Sequence, residues 1–208
     1  MEILKPLRTL DAFREHYDNG GHPWNLFSHS LDGIVTRGEV ARAAGDLFAG
    51  AMPVLRFEVL RDGLPPGDAE KALQMLDASM KRRLGKHAPR RVRPRPWAPV
   101  PDGKMAIVTG IATPHPHPSG VAGDVSVPSN DPETCMPSLI PLRKCARLFL
   151  VHAEGADAAS GCLMAIFRGP RDLPPRPHRF AGILYTTVNG GIRSRPTRYL
   201  SAEFAVPL

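Results

Sequence analysis

The spacing of apolar positions changes character near residue 100. Before it, apolar residues mostly recur three and four apart; after it, short apolar runs alternate with Pro and Gly. Leu10, Phe13 and Tyr17 share one face of a helix predicted over 8–19, which Asn19-Gly20-Gly21 would stop. Residues 22–33 read as a loop with Pro23-Trp24 as a local anchor. Thr36-Arg37-Gly38-Glu39 reads as a capping box, in which a hydroxyl and a carboxylate exchange bonds with backbone N–H groups. Val40, Ala43, Ala44, Leu47 and Phe48 follow at helical spacing, and Gly50 and Pro53 end that helix. Residues 54–60 put Leu55, Phe57 and Val59 on one side and Arg56 and Glu58 on the other, which predicts a half-buried strand. Residues 68–84 predict the clearest helix, capped by Asp68, with an apolar stripe of Ala69, Ala72, Leu73, Leu76, Met80 and Leu84.

After Pro101-Asp102-Gly103, strands are predicted over 104–113, 123–127, 147–152, 162–168, 180–189 and 198–206. With 54–60 they suffice for a sandwich or a barrel. The expected fold is α+β: an N-terminal helical region with one strand (1–86), a basic Pro-rich connector (87–103) and an antiparallel β-sandwich (104–208), together one compact domain. No internal repeat is visible.

Charge sharpens the picture. The 208 residues carry a net charge of +7, with a pI near 9.8, and 23 prolines. A basic balance points to an acidic partner: nucleic acid, an anionic membrane surface or an acidic protein. The surplus concentrates in Lys81, Arg82, Arg83, Lys86, Arg90, Arg91, Arg93 and Arg95, with no acid between Asp77 and Asp102. Lys81, Arg82 and Arg83 fall in the last turn of the predicted helix, where they offset its negative end. Arg90 to Arg95 lie beyond Pro89 with Pro94 and Pro96 interleaved, so an extended arm is expected. Guanidinium groups pair with phosphate oxygens bidentately, and Trp97 at the end of the arm offers a base-stacking face. These nine residues are the expected contacts of a non-enzymatic binder of nucleic acid, single-stranded RNA favoured. Further basic residues recur at expected strand ends: Arg143, Lys144 and Arg147; Arg168, Arg171, Arg176 and Arg179; Arg193, Arg195 and Arg198.

Other chemistry is thinner. Cys135, Cys145 and Cys162 make an odd count with no paired spacing, which favours a reducing compartment over a disulfide framework. Cys135 is the most loop-like, and with His152 or His178 as base it would serve a small hydrolase or transferase. His115-Pro116-His117 supplies two ligands where a zinc site needs more, so no metal is expected, and no cofactor. Phosphate-loop, GxGxxG, GxSxG and HExxH motifs are absent. A third reading is an interaction module whose Arg93-Pro94-Arg95-Pro96 docks on an acidic protein. The first residues lack the apolar core of a signal peptide, and no run approaches the roughly 18 apolar residues of a membrane span. A cytoplasmic protein is therefore expected, with self-association left open.

The order of features in the strand-rich half resembles a known family. A basic linker precedes a strand ending in proline (104–114), then Ser119-Gly120-Val121-Ala122-Gly123-Asp124-Val125-Ser126-Val127 runs to Asn130-Asp131, and a further apolar strand follows over 146–151. This resembles the core of the thirty-kilodalton superfamily of plant-virus movement proteins and, more loosely, small viral coat proteins. Asp131 stands at the family's acidic position. The resemblance implies a β-sandwich with flanking helices, binding of single-stranded RNA, and transport between host cells through plasmodesmata.

Overall fold

A computed structural model describes residues 1–20, 31–45, 51–97, 103–129, 138–170, 172–187 and 197–208; for 117–129, 138–145, 187 and 197 it describes the backbone. A helical layer packs on one side of a closed strand system, and the class is α+β.

The helical layer follows a short strand, β1 (Glu2–Ile3). Helix α1 (Leu10–Tyr17) starts where the Thr9 hydroxyl accepts from the Ala12 N–H, and it buries Phe13 and Tyr17. Helix α2 (Arg37–Ala43) opens with the expected box: Thr36 Oγ1 accepts from Glu39 N, and Glu39 Oε2 accepts from Thr36 N at 2.8 Å.

Residues 54–60 correct the sequence reading. They belong to a helix, α3 (Met52–Arg61), with Pro53 in its first turn. The alternation misleads because Val54, Leu55, Phe57, Val59 and Leu60 are all buried, so this helix is enclosed on nearly every side. Its polar residues are paired instead of solvated: Arg56 with Glu2, and Glu58 with Arg61. Phe13, Tyr17 and Phe57 stack edge-on and tilted at the centre, with ring centroids 4.8–5.3 Å apart.

The helix expected over 68–84 is two helices. Helix α4 (Pro66–Gln74) begins at Pro66, so Asp68 sits in its first turn and does not cap it. Helix α5 (Ala78–His87) is capped by Asp77, whose side chain accepts from Met80 N. Between them the chain pairs with Val35, which donates to the Met75 carbonyl and accepts from Asp77 N. The stripe survives the break: Ala72, Leu76 and Met80 are all buried in the helical core.

The remaining strands are β2 (Arg90–Val92), β3 (Met105–Ser129), β4 (Ser138–His152), β5 (Cys162–Ile166), β6 (His178–Thr187) and β7 (Thr197–Pro207). The runs expected over 104–113 and 123–127 are thus one strand, β3. β3 pairs with β6 through Met105–Gly110 and with β4 from Ile111 onward. β4 pairs with β5, β5 runs parallel to β7, and β7 returns to β6. The pairing closes a ring in the order β3-β4-β5-β7-β6, with β1 parallel on β7 and β2 parallel on β3. The expected antiparallel sandwich is therefore corrected to a mixed, closed five-stranded barrel. Four of its strands lie in the order β6-β3-β4-β5, the Greek-key order of a fourth strand beside the first. Beyond the barrel, β3 and β4 continue paired from Ser119–Arg147 to Ser129–Ser138.

The side chains explain the closure. Ala106, Val108, Phe149, Met164, Phe180 and Leu200 alternate inward to form the barrel core. Glu203 is the extra residue of a bulge, since Ala181 faces Phe204 while Gly182 faces Ala202. The bulge flips the alternation of β7: Ala202 and Ala205 both point into the barrel, and Phe204 and Val206 point at the helices. Gly182 occurs there because a Cβ would press on the Ser201 backbone.

Candidate nucleic-acid interface

The basic stretch divides among three settings. Lys81, Arg82, Arg83 and Lys86 project from α5, whose last turn also holds His87. Arg90 and Arg91 lie on β2, beside Ala106 and Ile107 of β3. Arg93 and Arg95 occupy a bend after it, closed by Arg95 N donating to the Arg93 carbonyl. The extended arm expected from Arg90 onward is thus a three-residue strand in the sheet followed by a bend.

Lys81, Arg82, Lys86, Arg90, Arg93 and Arg95 have exposed side chains. Arg83 is half-buried. Lys81 Nζ donates to the Gln74 carbonyl, which orients it along the turn before its own helix.

Arg91 has a different task. Its Nε donates to Asp62 Oδ2 at 2.8 Å, and its Nη2 donates to Asp62 Oδ1 and Glu58 Oε2, each at 2.6 Å. Glu58 is only 2% exposed and also accepts two bonds from Arg61. The bond to Asp62 above all holds the Arg91 guanidinium charged and raises its pKa. Arg91 is therefore a strut that ties β2 to α3.

Trp97 is also anchored. Its Nε1 donates to the Leu163 carbonyl of β5 at 2.9 Å, and its partly buried ring packs against the barrel core, which carries the bend back to the barrel.

Two residues absent from the sequence reading join this surface. Parallel pairing of β2 with β3 brings the end of α5 beside the entry to β3, where Lys104 is exposed. The Lys104 backbone is fixed by Leu184 N donating to its carbonyl. Burial lowers the pKa of His87, and Arg83, Lys86 and Lys104 lower it further. Nothing local in the sequence marks Lys104, because its approach depends on strand register; His87 lies within the basic run but carries no formal charge at neutral pH.

The cysteine reading fares differently at each position. Cys135 lies outside the described residues, as does Asp131. Cys162 is buried in the barrel core, and burial pushes its thiol up to about 12, which keeps it protonated and unreactive. His152 and His178 flank β3 at Ile111 and Gly110. Each ring faces a backbone carbonyl through Nδ1, His152 toward Ala153 and His178 toward Arg176 at 2.7 Å. A carbonyl only accepts, so Nδ1 carries the proton. The Nε2 atoms are buried without a hydrogen-bond partner, and burial lowers the pKa of His178. Among the described residues no group of three His, Cys, Asp or Glu is placed to hold a metal, and no helix is long and apolar enough to cross a membrane.

No family model, curated protein or solved structure matches the chain. Its function must be argued from its own residues.

Proposed function

We propose that this chain is a non-enzymatic binder of single-stranded nucleic acid that grips phosphates with the exposed cations of α5, β2 and the following bend. One observation carries the reading. Six exposed cations besides the ion-paired Arg91 sit on consecutive elements, in a stretch without a carboxylate from residue 78 to 101. The part from β2 onward is braced at both ends, on the helical layer by Arg91 with Glu58 and Asp62 and on the barrel by Trp97 with Leu163. Cations held on a fixed frame lose less freedom on binding than cations on a loose linker.

The strand order supports the same reading by analogy of fold alone. Small Greek-key barrels of the OB type bind oligonucleotides and oligosaccharides across their second and third strands and through the first and last hairpin loops. The corresponding strands here are β4 and β5. The outer side of this wall carries half-buried Leu148, Leu163 and Phe167, with Tyr185 and Tyr199 paired on the adjoining strands. The movement-protein resemblance makes RNA the first ligand to test; transport between host cells rests on that resemblance alone.

The test is fluorescence anisotropy of a labelled polyuridine strand over a salt series, with the intact chain and a variant carrying Arg90→Ala, Arg93→Ala and Arg95→Ala. Each phosphate contact on a single strand contributes about 0.7 to the log–log salt slope, so the variant should flatten it by about two units. Absence of binding at low salt, or an unchanged slope, rejects the proposal.

A further inference from the structure

We propose that Lys86, His87 and Lys104 form a phosphate-binding subsite at the junction of α5 and β3, and that His87 takes up a proton when a polynucleotide phosphate is seated there. The inference rests on the nucleic-acid reading above and adds to it a specific site, a residue from outside the basic stretch and a pH dependence.

The geometry comes from register. Arg90 pairs with Ala106, so the residues just before β2 and just before β3 arrive at the same end of the two parallel strands. α5 ends at His87, and Lys104 enters β3 with its backbone held by β6. Lys86 and Lys104 are exposed, and His87 is half-exposed. The charged groups acting on His87 are Arg83 and Lys86 from its own helix and Lys104 from β3, all cationic.

The direction of the local field separates this arrangement from ordinary helix-end chemistry. Basic residues in a last turn commonly offset the negative end of the helix dipole, and that end favours a protonated imidazole. His87 instead has its proton disfavoured, by burial and then by the three cations. Arg83, Lys86 and Lys104 thus gather positive charge around the end of α5. An anion fits there. A phosphodiester placed among these groups would screen the two lysines and present an acceptor to the imidazole, which favours His87⁺. By linkage, whatever raises the imidazole pKa must bind more tightly when the imidazole is charged.

The decisive measurement is an NMR titration of the His87 ring with and without the polyuridine strand, paired with anisotropy at about pH 5.5 and about pH 8 at fixed ionic strength. A bound phosphate should raise the His87 pKa by about one unit, and the strand should bind several-fold more tightly at the lower pH, up to about tenfold. In His87→Gln the two affinities should converge, because a glutamine cannot charge. Lys104→Ala should flatten the salt slope by about 0.7, the share of one phosphate. Inorganic phosphate alone supplies a control: a His87 shift with phosphate but none with the strand overturns the polynucleotide assignment. Strand binding with an unmoved His87 titration, or with pH dependence intact in His87→Gln, overturns this inference and leaves the general proposal standing. Failure of the strand to bind at either pH overturns both.

Discussion

Arg91 makes predictions opposite to those of Arg90, beside it on β2, and of Arg93, just beyond the strand, although all three carry the same charge. Arg91→Ala removes two bonds to Asp62 and one to the buried carboxylate of Glu58. Glu58 keeps both bonds from Arg61, so its charge is not left unpaired. The Arg91 side chain is 45% exposed, so water screens the Asp62 bond and its share is under about 1 kcal/mol. The bond to Glu58 at 2.6 Å is charge-assisted and largely desolvated on the acceptor side, which adds about 1 kcal/mol. The sum is about 1.5 kcal/mol, or a fall in Tm of roughly 3–6 °C for a chain of this size. Arg90→Ala and Arg93→Ala remove exposed cations and should stay within about 0.5 kcal/mol of the wild type. In the anisotropy salt series the order reverses: Arg90→Ala and Arg93→Ala should each flatten the slope by about 0.7, and Arg91→Ala should leave it unchanged. Urea melts followed by circular dichroism and the salt series together test both halves. A fully stable Arg91→Ala protein that loses a phosphate's worth of slope would falsify the division of this stretch into strut and contacts.

Four further outcomes are expected. Glu58→Ala leaves Arg61 and Arg91 without their shared buried carboxylate and should cost about 2–4 kcal/mol in urea melts, more than Arg91→Ala, the half-exposed Arg91 keeping the figure below that of a fully buried pair. Gly182→Ala drives a methyl into the Ser201 backbone, with the Ser201 carbonyl carbon 2.8 Å away, and should destabilise by about 2–3 kcal/mol; a variant as stable as the wild type would refute the close approach at the β7 bulge. His16 and His178 are held neutral by burial, which lowers both pKa values below the unfolded value near 6.5, so the unfolded chain binds more protons. Stability should therefore be fully present above about pH 6.5 and fall as pH drops toward the lowered values, with His178→Gln blunting the fall seen in thermal melts. Cys162 should resist iodoacetamide in the native protein and react on unfolding, read at its own peptide by mass spectrometry; rapid native labelling would contradict its buried, protonated state.

What could be read along the chain was what depends on neighbours in sequence. The Thr36–Glu39 box, the helix after Thr9 and the strands of the second half all rest on local spacing, and all are present. The errors arise where a long-range contact decides. Residues 54–60 alternate like a strand, but enclosure on both sides removes the exposed face that alternation marks in a half-buried strand. The helix expected over 68–84 breaks because Val35, some forty residues earlier, pairs with Leu76. The sandwich becomes a barrel through the parallel β5–β7 pair, whose strands are separated by β6 in the chain. The same limit applies to the candidate site: the basic run was visible as composition, while the attachment of Arg91 and Trp97 and the approach of Lys104 follow from register.

That register also decides how the charge can be used. The eight basic residues of the stretch would form a uniformly cationic arm if extended, able to meet phosphates at any spacing. Folded, Arg91 faces the helical layer and is neutralised, so the exposed cations fall into two groups: those on α5 and those on β2 and its bend. The strand β2 rises about 3.3 Å per residue. Arg90 begins the strand and Arg93 lies just beyond its end, so their backbones stand about 10 Å apart along the strip. Successive phosphates of an extended single strand lie closer than this, so the two arginines should engage phosphates that are not adjacent, with Lys86 and Lys104 meeting the backbone at the other end of the strip. A polymer can satisfy all of these positions at once, and a short acidic peptide or a single phosphate cannot. Affinity should therefore climb steeply with strand length until the strip is filled and then level off. A flexible arm would show no such break, and titration with strands of increasing length separates the two arrangements.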